Sequence, residues 1–441
     1  MSDPIQLPAE HPLRRRLADE VHARPPVAVE PPAAVSCIAL LRGADEGDDL
    51  APLRALLARR GRELDTPRNP HVVVELDALR VKWERHSEFT SYTLIRPLAT
   101  RDFAAPPALV TAFDAVPADW LASLPGQTIK AIDVTFLPAG ERDPSTEALA
   151  RLFSGPTLVG SQVSDAGAWV FTDFQLTSDG RGRWLVLDRK LTRGQRARVV
   201  QRLIEIGIYR VMAMLAFPLA REMSATLTVA EQRLSTIAER IAELGTRATA
   251  TAEVEREQRR LLDDLTQLAA EMEKAVAQSA FRFSASKAYW DIVTKRVAEL
   301  REERIGGIPT IGEFLSRRLE PAINTVLAAA RRQQELSARI ARASELLRTR
   351  VDIAREEQNS QLLAAMERRG KLSLRLQQTV EGLSVAAITY YAVGLVGYAV
   401  KPVKSVWPAL NPDWITAAAI PVLAWLVWRG VRKIRKELAT V

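Results

Sequence analysis

The chain has 441 residues with 61 basic and 53 acidic side chains, a net charge of +8 and a single cysteine. That length calls for two or three structural units, and one cysteine, Cys37, excludes an internal disulfide and a cysteine-built zinc site. The positive excess fits anionic lipid, nucleic acid or solubility alone. Its placement favours lipid: Arg429, Arg432, Lys433, Arg435 and Lys436 follow directly on an apolar segment.

Residues 1–30 form a motif segment. Polar and proline residues occupy positions where a secretion signal needs a continuous apolar core, so the soluble part is expected to stay in the cytoplasm. The stretch 11–26 has two readings. One is an amphipathic helix ended by Pro25 that packs Leu13, Leu17 and Val21; the other is a polar cluster of His11, Glu20, His22 and Arg24.

Residues 31–190 alternate strand and short-helix patterns and predict a sheet covered by helices. Strands are expected in the apolar run around Cys37, at 71–76, 79–85, 89–96, 129–137 and 168–176, and at 184–188 after the turn Ser178-Asp179-Gly180, which suggests a hairpin. Within its run Cys37 reads as a buried structural thiol. Asp143-Pro144 marks a helix start.

From 191 to 381 the period is helical. Capping-box spacing at Thr192 with Gln195, Thr228 with Glu231 and Thr310 with Glu313 marks three helix starts. Pro218 is expected to end the first of these helices, Gly306-Gly307 to separate two long ones, and Pro321 to kink the last rather than start it. The stretch 203–219 is apolar, but Glu205, Arg210 and Pro218 interrupt it, so it reads as a helix buried in the soluble core. Heptad spacing links Leu234, Ile237, Ile241 and Leu244, then Leu261, Leu265, Leu268 and Met272, then Leu319, Val326, Ile340 and Leu347 with Gln333 in the gap. These helices are either a bundle with solvated outer faces or an extended, oligomeric stalk; 321–400 as one helix would run roughly 120 Å.

Residues 382–441 read as a membrane hairpin. No charge falls between Glu381 and Lys401, and 382–400 makes roughly 28 Å of helix, close to the hydrocarbon thickness of ~30 Å. The second span, 414–428, contains Pro421 but is flanked by Trp414, Trp425 and Trp428, the belt residues of an interface. An interfacial helix is the alternative for it. Arg368, Arg369, Lys371 and Arg375 before the first span and the basic tail after the second place both termini in the cytoplasm, facing in from a bacterial inner membrane.

No phosphate loop, dinucleotide fingerprint, nucleophile elbow or H-E-x-x-H motif occurs. No cofactor and no enzymatic activity are therefore expected. His11, His22, His71 and His86 are scattered, and Asp263-Asp264 and Glu302-Glu303 read as solvated pairs, with cation sites between subunits as the sharper option. Arg193, Arg196, Arg198 and Arg202 lack interleaved aromatics, so nucleic acid is not an expected partner.

The stretch 11–26, the run Lys82-Trp83-Glu84-Arg85-His86-Ser87-Glu88-Phe89 and the stretch 306–321 resemble a bacterial family of uncharacterised membrane-anchored proteins, known as a domain of unknown function. That resemblance covers nearly the whole chain and implies membrane attachment. In layout the chain is also similar to CorA-type divalent-cation channels, but it has Gly397-Tyr398-Ala399-Val400-Lys401-Pro402 where those channels carry Gly-Met-Asn. Lys401 at a pore mouth would disfavour cations. The expectation is an α+β cytoplasmic domain, long coiled-coil-like helices and a two-helix transmembrane hairpin. Its function is that of a non-enzymatic, homo-oligomeric scaffold or partner-binding module on the bilayer, with an unknown protein partner. The alternative is a CorA-like homo-oligomeric channel whose first span lines a pore through Ser384, Tyr391 and Tyr398, spaced seven apart.

Overall fold

The structure, a computed structural model, describes residues 8–15, 17, 26–43, 48–64, 70–99, 109–140, 145–153, 155, 157–246, 252–401 and 412–438. Two compact units emerge, Met1–Arg240 with Asp263–Ala343, and Ile241–Leu262 with Ser344–Val441.

The first unit is built on a sheet of β1 (Ala33–Leu41), β2 (His71–Leu76), β3 (Leu79–Arg85), β4 (Phe89–Pro97), β5 (Gln127–Pro138), β6 (Val159–Val163), β7 (Ala168–Thr172), β8 (Arg181–Asp188) and β9 (Glu303–Arg304). Their order is β2-β3-β4-β1-β5-β8-β7-β6-β9. Neighbours are antiparallel except β5 and β8, which run parallel. The central strands are buried on both faces, which is why β1 and β7 carry near-continuous apolar runs; β5, buried as well, interleaves Lys130, Asp133 and Thr135 with its apolar residues. The expected hairpin is present: β7 pairs with β8, and Gly180 supplies the positive φ of the turn.

Helices cover both faces. On one lie α1 (Ala51–Ala58), a 3-10 turn (Phe113–Ala115), α2 (Ala118–Ala122) and α3 (Thr146–Leu152), sealing a core around Leu53, Tyr92, Trp120 and Phe171. On the other lies α4 (Arg193–Met214), whose Val199, Val200, Leu203, Ile206 and Met212 pack on Val35, Ile132, Val134 and Phe136. Gly207 permits that approach, because a Cβ there would run into Ile132 Cδ1. The expectation that 203–219 is buried in a core holds along α4. The same core takes in Tyr289, Val293 and Leu300 of α6 (Ala252–Leu300) and Ile311 and Leu315 of α7 (Ile311–Arg318).

Two of the three capping boxes form as expected. Thr192 and Gln195 cap α4, and Thr310 and Glu313 cap α7, each pair bonding reciprocally. Thr228 is a correction: it lies inside α5 (Ala216–Thr246), where its hydroxyl donates to the Ser224 carbonyl 3.0 Å away. A hydroxyl turned back on its own helix no longer caps. The first helix ends at Leu215 rather than Pro218, and Pro218 sits in the opening turn of α5, where its missing N–H costs nothing. Pro321 is a further correction. It lies in the first turn of α8 (Glu320–Val400) after α7 closes at Leu319, and so begins a helix rather than kinking one. Asp143 and Pro144 lie outside the described residues; the described cap of α3 is Ser145, which accepts from Ala148 N. Strands β6 and β9 were not expected: β6 is only five residues with glycine and two polar positions, and β9 only two.

Beyond the sheet, α5, α6 and α8 form a bundle within the first unit. Leu234, Ile237, Leu265, Leu268, Met272, Val326 and Ile340 are all buried by this chain alone. Arg332 pairs with Glu231 at 2.8 Å, Arg233 with Glu271 at 2.5 Å, and Ser279 donates to Gln333 Oε1 at 3.1 Å.

In the second unit Arg350 donates to the Ile241 carbonyl and Gln358 to Glu255. At the end of α8, Gly397 meets Thr416 of α9 (Pro412–Leu438). Arg429 lies over Trp425 and Arg432 over Trp428, at 5.1 and 4.9 Å from the ring centres. Among the described residues three helical stretches are long and apolar enough to cross a membrane: Arg193–Gly245, Glu320–Val400 and Asp413–Lys433. Half of the most apolar window of the first is buried inside the protein, and none of the other two.

Candidate functional site

A cavity of about 230 Å³ opens in the first unit between the sheet and α4. Its floor is the α4-facing side of β3, β4 and β1. Strand alternation aims Lys82, Glu84 and His86 at it, while Val81 and Trp83 point into the opposite core. Cross-strand register lines the floor up in rows: Lys82 lies beside Thr93 and Thr93 beside Cys37, Glu84 beside Ser91 and Ser91 beside Ala39. The roof is one stripe of α4, namely Ala197, Val200, Gln201, Ile204, Glu205, Ile208 and Tyr209, joined by Arg296 of α6. Val27 and Val29 close one side.

The electrostatics are unusual for a space between a sheet and a helix. Lys82 Nζ and Glu84 Oε1 are 2.8 Å apart, with side chains only 6% and 13% exposed. Facing them, Glu205 pairs with Arg296 and accepts from Gln201 at 2.7 Å; Arg296 and Arg202 share Glu299 at 2.9 and 3.1 Å. Each wall thus carries one cation and one anion. Burial pushes the Cys37 thiol up to about 12, a bond to Thr93 and the charge of Lys82 pulling weakly the other way. The thiol therefore stays protonated and is a poor nucleophile.

Aromatic packing closes the end of the cavity. His86 stacks on Phe89 with ring centres 4.2 Å apart, Tyr209 meets both edge-on, and Tyr209 stacks on Tyr289. Tyr289 Oη donates to Glu88 at 2.7 Å, and Arg282 forks onto the same carboxylate. Burial and that carboxylate hold the Tyr289 phenol up at about 12.

Asp133 and Lys130 are also buried on the sheet. Asp133 accepts from Ser36, Thr111 and Arg181, and burial raises its pKa against their pull. Lys130, beside Ala39 in the register, is pushed down to about 7 by burial and by Arg210, with Asp173 offsetting part of the shift.

The residues singled out in the sequence lie elsewhere. His11 is exposed, and its Nδ1 accepts from Leu13 N in a local turn. Glu20, His22 and Arg24 lie outside the described residues. Ser384, Tyr391 and Tyr398 are exposed on α8. Glu302, one of the paired carboxylates, instead caps α7, accepting from Ile311 N and Gly312 N at 2.9 Å each. Among the described residues no group of three His, Cys, Asp or Glu is placed to hold a metal ion. The cavity residues Lys82, Glu84, Ser91, Thr93, Glu205 and Arg296 were not foreseen. Their one trace in the sequence is charge at alternate positions of a strand, which ordinarily signals a solvated face.

No curated protein matches the chain. The model of a family described as "Protein of unknown function (DUF3422)" matches residues 9–438. Lys82 to Phe89, one of the stretches that carried the family resemblance, contributes Lys82, Glu84, His86 and Phe89 to the cavity lining, and the chain belongs to that family.

Proposed function

We propose that this protein is a membrane-anchored, non-enzymatic scaffold that faces the cytoplasm and self-associates through the part of α8 next to the membrane. One contrast carries the reading. The heptad residues Leu234, Ile237, Leu265, Leu268, Met272, Val326 and Ile340 are buried within the chain, whereas Leu362, Leu363, Met366, Leu372, Leu376, Val380 and Leu383 are 60% to 74% exposed. On a helical wheel they share one half, and Glu367, Arg368, Lys371 and Arg375 occupy the other; Arg369, Ser373 and Gln377 interrupt the apolar half, and Glu381 lies on its edge in line with Leu363.

Lipid accounts for the spans 382–400 and 414–428 and their aromatic and basic flanks, but not for this stretch. Leu362 lies roughly 30 Å of helix before Gly382, whereas headgroups extend only about 5–8 Å beyond the hydrocarbon. Parallel copies held in one membrane present the same face at the same height, which favours a second copy as the occupant. The apolar arc is wider than the seam of a two-stranded coiled coil, so the assembly has more than two copies. The protonated Cys37 thiol and the lack of a catalytic motif support a binding role.

Cys37 is buried, so single cysteines can be introduced over a silent background. In native membranes, Leu376→Cys and Val380→Cys are expected to form disulfide-linked dimers on oxidation, and Gln378→Cys, on the charged side, is not. Equal cross-linking at all three positions, or none together with a monomeric mass in detergent, removes the proposal. Ion flux in liposomes that vanishes on Tyr391→Leu would replace the scaffold with a channel lined by Ser384, Tyr391 and Tyr398.

A further inference from the structure

We infer that the cavity under α4 binds a small zwitterion with an aliphatic body, the chemistry of a free aliphatic amino acid. This inference is independent of membrane anchoring and self-association. Lys82 and Glu84 are nearly enclosed, and a buried ion pair is a poor source of folding stability, since well-packed apolar residues in its place often leave a protein as stable or more so. Folding alone does not account for charges on this face. At about 230 Å³ the cavity holds the volume of about eight waters, below the range of drug-sized sites.

Charge decides the class of ligand. The floor presents Lys82 with Glu84 and the roof presents Arg296 with Glu205, two cations against two anions. A ligand of one sign meets one repulsive partner for every attractive one. A ligand with an ammonium and a carboxylate can answer both, its carboxylate toward Lys82 and the hydroxyls of Ser91 and Thr93, its ammonium toward Glu205. The remaining lining, Val27, Val29, Val35, Ile204 and Ile208, is aliphatic and suits a branched hydrocarbon side chain.

The full-length protein in detergent, titrated by calorimetry and thermal unfolding with L-valine, L-leucine, L-isoleucine and L-methionine, tests this. At least one is expected to bind and to raise the unfolding temperature. Isovalerate and isobutylamine, which keep the hydrocarbon and only one charge each, are expected to bind at least about tenfold more weakly. Replacing Lys82→Met and Glu84→Leu together leaves no orphaned charge and should preserve folding while abolishing binding. Ser91→Ala, a smaller change, should weaken binding without altering the unfolding of the free protein. Failure of all four amino acids to bind, equal binding of a single-charge analogue, or undiminished binding by a folded double variant overturns the inference.

Discussion

Two stretches of α8 carry similar apolar spacing and meet opposite fates. Around Val326 and Ile340 the apolar residues lie at 0% and 1% exposure, interlocked with α5 and α6, and even the polar Gln333 is drawn in at 3%. Around Leu376 and Val380, residues of the same kind stand at 60% and 62%. Heptad spacing states that a helix has an apolar side and is silent on what covers it. In the first stretch two neighbours lie within the same chain; in the second the described residues provide none.

Substitutions that treat the two stretches alike should therefore separate them. Val326→Asp places a charge where no water reaches, and a loss of more than about 4 kcal/mol, or failure to fold, is expected in thermal unfolding. Leu376→Asp should leave unfolding within about 0.5 kcal/mol and instead abolish the cross-linking of Val380→Cys. A comparable loss of stability from both would erase the distinction between the stretches.

The packed unit should also reveal its buried charge through pH. Unfolded, Lys130 holds its proton to about 10.5; folded, it releases it near 7. Between those values the unfolded chain binds more protons, so this residue makes stability rise with pH by up to about 1.4 kcal/mol per unit. Lys130→Met removes that slope. Its advantage over the parent should be full at and below pH 7 and gone by about pH 10.5, which denaturant titrations across that range would read. A constant difference at all pH values would mean that Lys130 is better solvated than its burial indicates.

Polar interruptions offer a finer contrast. Gln333 leaves its Nε2 buried without a hydrogen-bond partner among the described residues, so Gln333→Leu should stabilise the bundle by about 1 kcal/mol. Arg369→Leu, the matching change on the exposed face, should strengthen cross-linking at Leu376→Cys and leave unfolding unaltered. The smallest effect concerns the caps. Thr192→Ala should cost about 1 kcal/mol and Thr228→Ala less than half of that, because only the first closes a capping box.

Much of the fold was legible because it depends on short-range pattern. Strands β2 and β3 fall at the expected residues, and the boxes at Thr192 and Thr310 lie where hydroxyl and carboxamide or carboxylate are three apart. Thr228 with Glu231 has the same spacing in mid-helix, since a cap requires a chain that enters from outside, and spacing alone does not report that. The candidate site was not legible. Lys82 and Glu84 look like the solvated side of a strand until α4, more than a hundred residues later, closes over them.

By itself, then, the sequence determined most of the longer strand and helix segments, the apolar segments at the C-terminus, the single silent thiol and the family. Those properties follow from neighbours within a few residues, from composition and from matched motifs. Only the tertiary structure decided which apolar faces are satisfied inside the chain, that Pro321 opens a helix, and that a charged strand face becomes the floor of a cavity. Burial belongs to pairs of surfaces, and the second surface is brought in by parts of the chain that local pattern does not connect.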